Sequence, residues 1–94
     1  MEFKIENEKL EFTFAKKLDT SAIAEFEKEL KDKINEETFP VVFDLSGVEF
    51  VSSMFLRVCL STYKAKGKGN FSIINAAPQI KSVFMIAGFG EMLG

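Results

Sequence analysis

Ser52 and Ser53, in the stretch FVSSMFLRV, lie where an apolar strand region gives way to a helix, and they are the side chains best placed for chemistry. A serine at a helix N-terminus can cap free backbone N–H groups, receive a phosphate, or do both, because the positive end of the helix stabilises an anion. Other chemistry is thin. The chain has no histidine, hence neither the commonest general base nor the commonest metal ligand. Half of its fourteen carboxylates fall among lysines in residues 19–37, where solvation and pairing four residues apart account for them. No phosphate-cradling or nucleophile-elbow glycine pattern occurs. KAKGKG at 64–69 places three lysines in a glycine-rich turn, to be read as a solvated loop or as a phosphate or membrane contact. No enzyme activity, cofactor or metal is expected.

The elements that must position the serines can be read from periodicity. EFKIE and KLEFTFA alternate, with Phe3 and Ile5, then Leu10, Phe12 and Phe14, on one face, and Asn7 and Glu8 between them predict a hairpin. Ile23, Phe26, Leu30 and Ile34 recur at spacings of three and four, which predicts an amphipathic helix capped by Asp19, Thr20 or Ser21. After Pro40, VVFDL reads as a covered central strand ending at Asp44. A second helix is predicted from about Ser53 to Ala65, closed by Gly67. NFSIIN is a further strand, and a third helix carries Pro78 in its first turn and stops at Gly88. The order β-β-α-β-α-β-α predicts a single small α/β domain over residues 1–94, with a mixed sheet of four to five strands. Right-handed crossovers would put the first two helices on one face of it.

Composition bounds the partners. With 94 residues, 47% of them hydrophobic and eleven of them Phe, the chain can bury a real core. Its net charge of −2 argues against a nucleic-acid surface. Cys59 is the only cysteine, so no intrachain disulfide can form, and a cytoplasmic setting is expected. The absence of a long apolar run and the charged start MEFKIENEKL predict neither membrane insertion nor a signal peptide.

Three blocks, LDTSAIAEFEKEL, VVFDLSGVEFVSS and NAAPQIKSVFMIAGF, resemble in order the STAS domains of bacterial anti-sigma factor antagonists, and the resemblance spans nearly the whole chain. It implies the small mixed-sheet fold just read. In that family the loop before the second helix usually reads Asp-Ser-Ser/Thr-Gly-Leu, and its first serine is phosphorylated by a partner kinase that is also the anti-sigma factor. The resemblance places that serine at Ser53 and an acidic neighbour at Asp19. It also puts Ser52 where the family has Asp, and Met54 and Phe55 where it has Ser or Thr and Gly. The lost charge and added bulk set this loop apart.

One helix wheel turns Leu56, Cys59, Leu60 and Tyr63 toward the sheet and leaves Met54 and Val58 on the far side, beside Arg57 and Ser61, with Phe55 on the flank. These residues then form an exposed docking patch, unless a neighbouring helix or the FGEML segment covers them. The function implied by the resemblance is a regulatory module. It would bind a serine kinase of the histidine-kinase-like ATPase type, which is also the anti-sigma factor, and be switched by phosphorylation of Ser53. The alternative is a cytoplasmic STAS subunit of a lipid-transport ATP-binding-cassette complex.

Overall fold

The computed structural model describes residues 1–94. Alternating side chains in the first segment build β1 (Glu2–Glu6) and β2 (Lys9–Thr13), which pair antiparallel with Phe3 opposite Phe12 and Ile5 opposite Leu10. Asn7 and Glu8 take φ of 52° and 61°, the pair of left-handed residues whose twist suits a two-residue hairpin turn. After β3 (Lys17–Leu18), helix α1 (Thr20–Glu36) buries Ile23, Leu30 and Ile34 along one stripe. Pro40 precedes β4 (Val41–Asp44), and β5 (Phe50–Val51) leads into α2 (Ser53–Lys66). Helix α2 ends at Gly67, whose φ of 89° a Cβ would strain. Strand β6 (Phe71–Ile74), α3 (Pro78–Ile86) and a 3-10 turn at Gly90–Met92 complete the chain.

The main sheet runs β1-β2-β4-β6, and β2, β4 and β6 are mutually parallel. Its inner face carries Leu10, Phe12, Val41, Phe43, Phe71 and Ile73, all buried in one cluster with the apolar stripes of the helices. Helix α1 packs on α2, and α2 packs on β6. The outer face is lined by Glu11, Val42, Ser72 and Ile74 along a shallow groove of about 250 Å³. The two sheet edges differ. Beyond β6, Leu93 bridges to Ile73 and the Gly94 N–H donates to the Ile73 carbonyl at 2.8 Å, whereas β1 carries no further strand.

The fold is therefore the expected small α/β domain. It departs from the expected order through β3 and β5, which pair parallel in a separate two-stranded sheet with Lys17 opposite Phe50 and Leu18 opposite Val51. At two residues each they are too short to show a period.

Candidate functional site

The two-residue sheet brings the starts of two helices together. Leu18 faces Val51, so the next residues along, Asp19 and Ser52, leave the strands side by side, and the Ser52 N–H donates to the Leu18 carbonyl at 2.9 Å. Each is an N-cap. Asp19 Oδ1 accepts from the Ala22 N–H at 2.9 Å, and Ser52 Oγ accepts from the Phe55 N–H at 3.3 Å. The capping choice left open among Asp19, Thr20 and Ser21 thus falls on Asp19. Neither helix has an acidic residue in its first turn, so Asp19 is the carboxylate set at these paired positive ends.

Ser52 does the capping and Ser53, the first residue of α2, is exposed. Aspartate and serine serve a helix as caps about equally well, so Ser52 keeps the geometry an aspartate would give while carrying no charge. Met54, which follows, is half-buried.

Phe55 corrects the sequence reading. It is fully buried, its ring 5.3 Å from Phe14 and 5.9 Å from Phe43, inside an aromatic cluster that also takes in Phe12 and Phe71. Its bulk points into the core, away from any approaching molecule. Val58 is likewise core, and so is Thr62, whose hydroxyl donates to the Val58 carbonyl at 2.8 Å. Helix α2 turns Phe55, Val58, Cys59 and Thr62 inward, while Leu56, Leu60 and Tyr63 are only half-buried. The exposed patch of Met54, Phe55 and Val58 therefore does not exist. The wheel failed because α2 is apolar over most of its circumference and packs against α1 as well as the sheet; the size of Phe55 was the signal for its burial.

Met54, Arg57 and Ser61 do come together, with Val58 as floor, in a cleft of about 210 Å³ whose other wall is Glu27 and Lys31 of α1. Those two are ion-paired at 3.0 Å, and the sequence offered them only as a solvated helix pair. A further residue escaped notice. Phe50, three residues before Ser53, is 49% exposed because the alternation of β5 sends Val51 inward and Phe50 out.

The turn leading from β4 toward the serines is held by Asp44. Its Oδ1 accepts from the Ser46 N–H at 2.9 Å and from the Asn75 side-chain amide at 3.2 Å. Partial burial works to raise the Asp44 pKa, but these donors outweigh it and hold the carboxyl below its ordinary value. The lysines of 64–69 do not reach this site. Lys66 donates to the Glu37 carbonyl, and Lys64 and Lys68 stand exposed around the end of α2. No group of three or more histidine, cysteine or carboxylate side chains is gathered for a metal ion, and no helix is long and apolar enough to cross a membrane.

Residues 1–93 match the STAS domain family, and the chain belongs to that family. Solved structures share the fold. The anti-sigma factor antagonist SpoIIAA in its unphosphorylated form superposes with a TM-score of 0.78 at 18% identity, over 99% of this chain and 86% of that one. An anti-sigma-factor antagonist (STAS) domain protein from Planctomyces limnophilus gives 0.75 at 18% identity, over 98% and 84%. The Bacillus cell fate determinant SpoIIAA in its phosphorylated form gives 0.73 at 17%, over 99% and 89%. No curated protein is matched.

Proposed function

We propose that this STAS domain is a protein-binding regulatory module of the anti-sigma factor antagonist type, which binds a kinase-like anti-sigma factor and is released by phosphorylation of Ser53. The observation that carries the reading is the division of labour between the serines: Ser52 caps α2, and Ser53 stands exposed beside it at the helix start. A phosphate on Ser53 would meet the positive ends of two helices and the negative charge of Asp19. The partner surface is formed by Met54, Arg57 and Ser61 at the mouth of the α1–α2 cleft, together with the exposed Phe50 of β5. Adding roughly two negative charges next to that surface disrupts the contact.

The test is to recover the partner with tagged protein, then measure affinity and phosphate incorporation. Ser53→Ala should bind but take up no phosphate, and Ser53→Asp should bind at least about tenfold more weakly. Phe50→Ala should weaken binding without unfolding the domain. Equal binding by wild type and Ser53→Asp would remove the switch. Recovery of a transport ATPase in place of a kinase would replace the reading with that of a scaffold subunit.

A further inference from the structure

Strand β1 is the open edge of the four-stranded sheet. Leu10, which faces Ile5 across the hairpin, sends its N–H away from β1 to the Pro40 carbonyl at 2.9 Å. Antiparallel neighbours alternate between pairs that exchange hydrogen bonds and pairs that do not, so Ile5 and Phe3 belong to the second kind. Their N–H and C=O groups therefore point to the free edge. Their side chains are also left half in solvent, at 46% and 43% exposure.

The sequence of this edge is close to its own complement. Glu2, Lys4 and Glu6 occupy the outer face, where Lys4 pairs with Glu6 at 3.2 Å and with Glu11 at 3.5 Å. Phe3 and Ile5 occupy the helix face, Phe3 with its ring 6.0 Å from Phe12 and Lys33 Nζ 4.8 Å above it. A second copy laid antiparallel along β1 has three central registers. With Lys4 on the axis, Lys4 opposes Lys4 and Glu2 opposes Glu6, which is like charge against like charge. With Ile5 on the axis, Lys4 opposes Glu6, but Phe3 falls opposite Asn7, which has left the strand at φ 52°. With Phe3 on the axis, Glu2 opposes Lys4 on both sides, Phe3 meets Phe3, and Met1 lies across Ile5. This last register alone satisfies the charges, the apolar pairs and the free backbone groups together.

We propose that β1 is a self-pairing edge, through which two copies of this domain join about a twofold axis at Phe3 to make one continuous sheet. The groove of about 520 Å³ beside Phe3, walled by the charged side of α1 from Glu25 to Glu36, lies at that junction. Helix α2 packs on α1 and β6, so both copies of Ser53 stay outside it.

Sedimentation at low salt, from about 1 μM to about 1 mM protein, tests this over the range of weak to moderate affinities. Wild type should dimerise. Lys4→Glu should weaken the dimer about tenfold or more, because both Glu–Lys pairs become Glu–Glu. Glu2→Lys combined with Lys4→Glu should restore it in the Phe3 register but not in the Ile5 register, where residue 4 would still face Glu6; the Lys4 register is set apart by the single Lys4→Glu change, which there only exchanges one like-charge pair for another. Ile5→Pro removes a free-edge N–H without touching the ladder to β2, and should abolish the dimer while circular dichroism shows the fold retained. A wild type monomeric throughout would overturn the proposal, as would a dimer indifferent to all these changes. So would amide protection of Phe3 and Ile5 that arises only with a partner protein, which would give the edge to a foreign strand.

Discussion

At the scale of single residues, neighbours of the same type do different work. Ser52 satisfies a backbone donor at the start of α2, so Ser52→Ala should cost about 1 kcal/mol in thermal or urea denaturation. Ser53→Ala removes an exposed hydroxyl and should stay within about 0.5 kcal/mol of wild type. The resemblance implied Ser53 as the counterpart of the family's phosphorylated serine, an expectation carried into the proposed function; which hydroxyl accepts the Phe55 N–H depends on where the helix begins, directly after β5, which pairs with β3. Asp44 makes a pH-dependent contribution. Its folded pKa lies below the unfolded value, so its stabilisation is fully present above about pH 4 and is lost as pH falls through the folded value. Asp44→Asn should accordingly melt below wild type at neutral pH, and the gap should narrow as melts are taken into the acid range.

At the scale of elements, helices and long strands were legible because each shows several turns or alternations of one pattern. The hairpin, the Ile23–Leu30–Ile34 stripe and the covered strand VVFD all formed as periodicity predicts. Short or ambiguous segments were not legible. Lys17–Leu18 and Phe50–Val51 have no period to detect, yet their pairing sets two helix starts side by side. Helix α2 offers two apolar stripes, and only the surrounding α1 and aromatic cluster decide between them. Phe55→Ala is the measure of that decision. Emptying its place among Phe14 and Phe43 should cost about 3–5 kcal/mol in denaturant titration, a large share of the roughly 5–15 kcal/mol that holds a domain. Met54→Ala, at the half-buried cleft rim, should cost much less, and a reversed order would return Phe55 to the surface.

At the scale of the whole molecule, one cluster joins the inner sheet face to all three helices, so the core should open as a unit. Cys59 reports on it. The thiol is fully buried, and burial pushes its pKa well above the ordinary range, so the native chain should resist alkylation. Labelling with iodoacetamide should track global unfolding across a urea titration; fast labelling in native buffer would mean that α2 detaches on its own. The two borders of the main sheet also fix how far association can go. Residues 93 and 94 cover the β6 edge at Ile73, whereas β1 is a border of the main sheet with no segment laid along it. In the proposed pair each copy's β1 is taken up by the other, so association through that edge closes at two copies instead of extending strand by strand.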